Sequence, residues 1–211
     1  MKPTAREIAA LARRDRRLGA ALRRVAPFPG FPSRSLHGYQ SHFHALARAI
    51  VYQQLSGKAA ATIHGRLSAL TPGARFPRPD ELLRLSDAEL RGAGLSQAKV
   101  LALRDLAGRI ESGELALARI ARLSDEAIVE KLVAVRGIGV WSAQMFLLFR
   151  LGRLDVMPAT DLGVQAGLAR LDGLAQRPTP KQLEARAEAW RPLRSVASWV
   201  LWRVYNPEIP G

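Results

Sequence analysis

Apolar side chains recur along the chain every three to four residues, with polar and charged positions between them. Residues 4–25 set Ile8, Leu11, Leu18 and Leu22 in a near-helical rhythm separated by arginines, the period of a helix with one face toward a core. A segment rich in Pro, Gly and Ser follows at 27–35, then an apolar stretch with Phe43, Leu46, Ile50 and Val51. Ser56 suits the N-cap of a small-residue helix, GKAAATIHGRLSAL. A second Pro/Gly segment at 71–79 leads into a short helix beginning near Pro79. Ser86 with Glu89 forms a capping box, Ser96 starts a helix reaching about Ile110, and Ser124 starts another that Arg136-Gly137 ends. A further helix is expected from Val140 to Leu151. Thr179, with Pro180 at N1 and Gln182 at N3, begins a helix over 180–189, and SVASWVLWRVY after Pro192 closes the series. No tight-turn dipeptide joins alternating runs and no fixed period repeats, so the predicted fold class is all-α.

Composition narrows the possibilities. A chain of 211 residues that is 48% apolar has material for a core in one domain or two small lobes. The absence of cysteine excludes a disulfide framework, thiolate zinc sites, iron–sulfur clusters and cysteine nucleophiles. The most apolar run, Met145 to Phe149, ends at Arg150, too short to span a membrane. Charges interrupt MKPTAREIAALARRDRRL where an export signal needs an apolar region. No membrane partner is expected, and the expected location is intracellular: cytoplasm or nucleoid, or the nucleus in a eukaryote. The net charge is +14, with five lysines and 27 arginines. GC-rich coding explains arginine in place of lysine, but explains less well an excess of bases over acids. A polyanion, most simply nucleic acid, is the indicated partner.

The sharpest local feature is LVAVRGIGVWSAQM at 132–145. One helix stops, Gly137-Ile138-Gly139 makes the turn, and a second helix begins at once. The glycines permit positive φ and close backbone approach, and Ile138 points back to pin the two helices. Such a turn aims N–H groups and a positive helix end outward, which suits a phosphate, although an ordinary helical hairpin with a glycine cap reads the same way. Sixteen residues beyond Gly139 begins Asp155-Val-Met-Pro-Ala-Thr-Asp161-Leu-Gly-Val-Gln. Pro158 sets up a helix start with Thr160 or Asp161 in its first turn. There the macrodipole favours an ionised carboxylate, whether as a simple cap or directed at a ligand.

Together these residues resemble the helix–hairpin–helix DNA glycosylase superfamily. Three further segments resemble its 3-methyladenine DNA glycosylase II family: AIVYQQLSGKAAATIHGRL at 49–67, GAGLSQAKVLALRDLA at 92–107 and WRPLRSVASWVLW at 190–202. The resemblance spans about residues 40–205. It implies a two-lobed all-α fold without the accessory β domain of larger members. One lobe would be 38–155 with the hairpin, the other 1–37 plus 156–211, with the active-site cleft between them.

The resemblance also assigns roles. Asp161 is the implied catalytic carboxylate. Gly137, Ile138 and Gly139, with Arg136 before them, form the implied phosphate-binding hairpin, whose main-chain carbonyls near Gly137 and Gly139 would hold a structural monovalent cation. No other cofactor and no side-chain metal site are expected. Gln53, Gln54 and Leu55 occupy the loop that probes the duplex and fills the gap left by a flipped nucleotide; either Gln54 or Leu55 is the wedge. Ser56 and Lys58 complete the DNA-facing set. Trp202 falls where the family has an active-site tryptophan, and Trp141, Tyr52 and Met145 are further base-pocket candidates. Trp190 and Trp199 stand behind them, Trp199 as packing. Lys58 and Arg194 read as phosphate-contacting or solvated, Asp155 as structural, and His42, His44 and His64 as no metal site.

Strand-cleaving members of the superfamily carry a nucleophilic lysine where this chain has Trp141, so Schiff-base chemistry loses its nucleophile. Met145 replaces a pocket tyrosine of some relatives, which implies a more open pocket. N-alkylation at N3 or N7 makes a purine a cationic leaving group, so one carboxylate can stabilise the sugar's developing positive charge and activate water. The implied activity is monofunctional hydrolysis of alkylated (3-methyl or 7-methyl) purines from double-stranded DNA by a monomer. The alternatives are a glycosylase for deaminated purines, etheno adducts or methylated pyrimidines, and a non-catalytic helix–hairpin–helix DNA-binding module.

Overall fold

The computed structural model describes residues 2–25, 27–31 and 41–206. The expected lobe boundary at 37/38 and residues 32–35 of the first Pro/Gly/Ser segment lie outside them. Among the described residues every regular element is helical and no strand occurs. The chain divides into two compact units, Met1–His37 with Leu147–Gly211 and Gly38–Phe146. Residues 147–155 therefore belong to the first unit and not, as expected, to the hairpin-bearing one. The cause is local bonding: Phe149 stacks on Trp202 at 5.7 Å, Ser195 donates its backbone N–H to the Leu154 carbonyl at 3.0 Å, and Arg194 holds Asp155 at 2.8 Å.

In the first unit the helices are α1 (Ala5–Arg14), α2 (Arg16–Arg24), α10 (Leu162–Asp172), α11 (Pro180–Ala187) and α12 (Arg194–Tyr205). The run at 4–25, read as one helix, is two. Asp15 adopts extended backbone between them, ends α1, and caps α2 by accepting from Leu18 N–H at 3.0 Å. Its other oxygen accepts from Trp190 Nε1 at 2.7 Å and Arg186 Nη2 at 2.5 Å. Burial opposes ionisation of this carboxyl, yet these donors hold it below its ordinary range. Asp15 is thus a buried junction, and these donors explain why a charged residue interrupts the helix where it does. Leu11, Leu18, Trp190, Val196, Trp199 and Leu201 build the core, Trp199 as the packing residue the sequence suggested. At Gly167 an added Cβ would meet the Leu201 carbonyl at 2.1 Å, so α10 and α12 touch backbone to backbone.

The second unit contains α3 (His42–Tyr52), α4 (Gly57–Ala69), α5 (Pro79–Arg84), α6 (Asp87–Gly92), α7 (Gln97–Glu111), α8 (Asp125–Val133) and α9 (Val140–Met145). Ser56, Ser86, Ser96 and Ser124 cap α4, α6, α7 and α8 as read, and Ser86–Glu89 is a full capping box. α7 runs through this core with Val100, Leu103 and Leu106 fully buried. The helix expected over 140–151 keeps α geometry only to Met145 and continues as a π-helical turn over Phe146–Arg150. His44 and His64 meet at 2.8 Å between Nε2 atoms, and both rings stack with Phe76. Among the described residues, no three His, Asp or Glu side chains cluster as a metal site, and no helix is long and apolar enough to cross a membrane.

Candidate active site and nucleic-acid interface

In the first unit the loop 152–161 delivers Asp161 to the start of α10. α12 straps that loop: Ser195 Oγ donates to the Arg153 carbonyl at 2.7 Å and accepts from Val156 N–H at 3.0 Å. Arg194 Nε donates to Asp155 Oδ1 at 2.8 Å and its Nη2 to the Asp155 carbonyl at 2.8 Å. The Arg194 guanidinium is therefore paired with Asp155. Gln165 Nε2 donates to the Ala159 carbonyl at 2.8 Å and fixes the last turn before Asp161.

Asp161 is the N-cap of α10, the capping position that the sequence offered for it. Its Oδ1 accepts from Val164 N–H at 2.9 Å and from Trp202 Nε1 at 2.9 Å. Both residues are half-buried. One carboxylate oxygen is thus held by a helix end and by an indole, and that indole stacks on Phe149 with the ring planes 26° apart. Gly163 makes the arrangement possible, because a Cβ there would meet Trp202 Cδ1 at 3.0 Å and Asp161 Oδ1 at 3.1 Å. Asp161 and Trp202 are each legible in the sequence, but their bond and the glycine are not, since 41 residues separate the partners.

The hairpin and the probing loop both belong to the second unit. Gly137 takes φ +78°, and its Cα faces Ala102, whose Cβ would be 3.1 Å from an added Cβ. Gly139 is the N-cap of α9 and needs no positive φ. Ile138 is only 5% exposed. Its side chain is turned into the protein, as a residue pinning the turn would be. The backbone N–H of exposed Arg136 is taken by Asp105 Oδ2 at 2.7 Å, leaving the side chain for any anion contact.

In the loop after α3, Gln53 Nε2 donates to the Gly137 carbonyl at 2.9 Å, so this side chain joins the loop to the hairpin. Gln54 adopts φ +56°, the left-handed region, unusual for a residue with a Cβ. Leu55 is 39% exposed. Ser56 Oγ is committed to capping α4 by accepting from Ala59 N–H at 3.3 Å, and Lys58 is exposed. Of the base-pocket candidates here, Trp141 is 45% exposed near the start of α9 and Met145 is half-buried at its end. Tyr52 carries the Arg48 guanidinium 3.7 Å from its ring centroid, so one ring face is already covered.

Residues 47–192 match the model of the HhH-GPD superfamily base excision DNA repair proteins. The chain is 35% identical to DNA-3-methyladenine glycosylase 1 of Schizosaccharomyces pombe over 82% of its own length and 75% of that protein's. It is 29% identical to DNA-3-methyladenine glycosylase 2 of Escherichia coli, over 81% and 60% respectively. Among solved structures, a DNA-3-methyladenine glycosidase from Bacillus halodurans superposes with a TM-score of 0.83 at 35% identity, covering 95% of this chain and 89% of that one. The S. pombe 3-methyladenine DNA glycosylase in complex with abasic DNA gives 0.80 at 31% identity, covering 94% and 96%. Matched over most of its length by that family model, the chain belongs to the HhH-GPD superfamily of base excision DNA repair proteins.

Proposed function

We propose that the protein is a monofunctional DNA glycosylase that removes alkylated purines, 3-methyl and 7-methyl, by hydrolysing the N-glycosidic bond and leaving an abasic site. The observation that carries this reading is the double anchoring of Asp161 Oδ1 by Val164 N–H and Trp202 Nε1. A helix cap alone requires only the first of these. The second holds the same oxygen beside an aromatic ring and helps orient the carboxylate, which suits electrostatic stabilisation of an oxocarbenium-like sugar. A base in a duplex must first be extruded, at a cost of about a few kcal/mol that damage lowers. The Gly137–Gly139 hairpin and the side chains of Arg136 and Lys58 serve as the phosphate grip, with Gln54 or Leu55 as the wedge; the exposure of Leu55 and the left-handed backbone of Gln54 suit both.

A cationic purine stacks well on electron-rich rings, and Trp202 and Trp141 are the proposed platforms, with Tyr52 and Met145 as further pocket walls. The main-chain carbonyls of Gly137 and Gly139 are the proposed ligands of a structural monovalent cation. Gly137's oxygen already accepts the Gln53 amide and keeps a second lone pair for it. The enzyme acts as a monomer on damaged double-stranded DNA in the compartment that holds the genome.

The test is release of 3-methyladenine and 7-methylguanine from alkylated duplex DNA, followed by gel analysis of the strand. Free base with an intact, alkali-labile strand is expected. Strand cleavage without alkali would refute the monofunctional assignment, which rests on Trp141 standing in place of a lysine. Release of deaminated or etheno bases alone would favour the wider-pocket reading suggested by Met145. DNA binding with no release from a panel of lesions would make the protein a binding module.

A further inference from the structure

One face of α7 touches both of the loops assigned to DNA. Lys99, Ala102 and Asp105 recur at intervals of three and share that face. Lys99 Nζ donates to the carbonyls of Val51 at 2.7 Å and Gln53 at 2.9 Å, the end of α3 where the probing turn begins. Those carbonyls carry the negative end of the helix dipole, so an ammonium fits them. Ala102 lies against Gly137, and Asp105 accepts from Arg136 N–H at 2.7 Å while pairing with Arg109 at 3.1 Å. Gln53 then closes the circuit by donating to the Gly137 carbonyl.

We propose that α7 is a jig that fixes the probing turn and the phosphate hairpin in one register, and that Lys99 is a positioning residue and not a phosphate contact. The proposal rests on the glycosylase reading only for what the two loops hold. Two observations support it beyond the bonds themselves. Gln54 keeps a left-handed backbone, uncommon for a residue with a Cβ, and ties at Gln53 on its near side help to hold it there. Lys99 is half-buried, and burial draws its ammonium below the ordinary lysine range, as expected of a cation withdrawn from solvent. In a chain of charge +14, this lysine is one that composition alone would wrongly count toward the grip on DNA.

The experiment uses the full chain and two variants, Lys99→Met and Gln53→Met. It reads the salt dependence of binding to undamaged duplex, backbone amide exchange at residues 136–138 without DNA, and single-turnover excision. A phosphate contact adds about one unit to the slope of log K against log salt. For Lys99→Met the expected slope is that of wild type, with amide exchange at Arg136 and Ile138 faster by about tenfold or more. Excision should fall about 10- to 100-fold, the scale of a small misplacement of binding elements. A slope reduced by about one with unchanged exchange at the hairpin overturns the proposal. Should Lys99→Met fail to fold by circular dichroism, Gln53→Met decides: faster exchange at 136–138 supports the jig, and wild-type exchange overturns it. Slope and exchange need no catalysis, so a wild type that releases no base defeats the glycosylase reading without touching this one.

Discussion

Replacing Trp202 by phenylalanine isolates the contact on which the active-site geometry depends. The substitution keeps an aromatic ring against Phe149 but deletes the Nε1 donor 2.9 Å from Asp161 Oδ1. The cap from Val164 N–H stays, so α10 still starts at the same place. A hydrogen bond to a charged group contributes about 1.5–3 kcal/mol. Expressed fully in the transition state, that loss slows the chemical step about 10- to 150-fold, at about 1.4 kcal/mol per tenfold. The assay is single-turnover release of 3-methyladenine with enzyme in excess, so that product release does not mask chemistry. Gly163→Ala should act in the same direction while keeping every polar group, because its Cβ must push Trp202 or Asp161 away from contacts of 3.0 and 3.1 Å. Helix propensity favours alanine there by about 1 kcal/mol, so slower excision without a lower melting temperature is the expected signature. Excision within twofold of wild type in both variants would refute the idea that the indole orients the carboxylate.

Other outcomes follow from the same geometry. Gly137→Ala should cost about 1–2 kcal/mol for its left-handed backbone, lowering the melting temperature by about 2–8 °C and weakening duplex binding; the crowding against Ala102 acts in the same direction. Arg136→Ala should weaken binding to every duplex alike and flatten the salt slope by about one unit, measured by fluorescence anisotropy. Acidification should lower the melting temperature in two steps. Burial, then the charge of Arg48, holds His64 below its ordinary value of 6.5, so the neutral form belongs to the fold and stability is lost as pH falls below that value. Asp15 is held below 3.8, so its contribution is complete above that pH and disappears as pH falls through its lower folded value. His64→Gln should abolish the first step alone; a variant that keeps both steps would rule out the His64 assignment.

How much of this was legible in the sequence depended on how local each signal is. Helix starts at Ser56, Ser86, Ser96, Ser124 and Thr179 were readable because a cap and its N–H acceptor lie within three residues. The Gly-Ile-Gly turn and buried Ile138 were readable for the same reason. Asp15 was not: within a run of arginines it looks like surface, and its burial is decided by Trp190 and Arg186, more than 170 residues away. The return into the first unit before residue 156 was hidden likewise, because the contacts of Phe149, Leu154 and Asp155 are with α12. At the site, Asp161 and Trp202 were found through resemblance, yet their mutual bond, the glycine between them and the use of Gln53 as a tie are tertiary facts. Arg194 is the converse case: phosphate-contacting or solvated as a lone cation in sequence, it is paired in the fold with Asp155, 39 residues away.

The most direct test of the central claim is single-turnover excision of 3-methyladenine by Asp161→Asn. Asparagine caps helices about as well as aspartate, so the start of α10 survives and only the negative charge is removed. With melting temperature and duplex affinity near those of wild type, the account predicts that base release falls by at least about 100-fold, the lower range for removal of one electrostatic stabiliser. An asparagine variant that releases the base at the wild-type rate would contradict it.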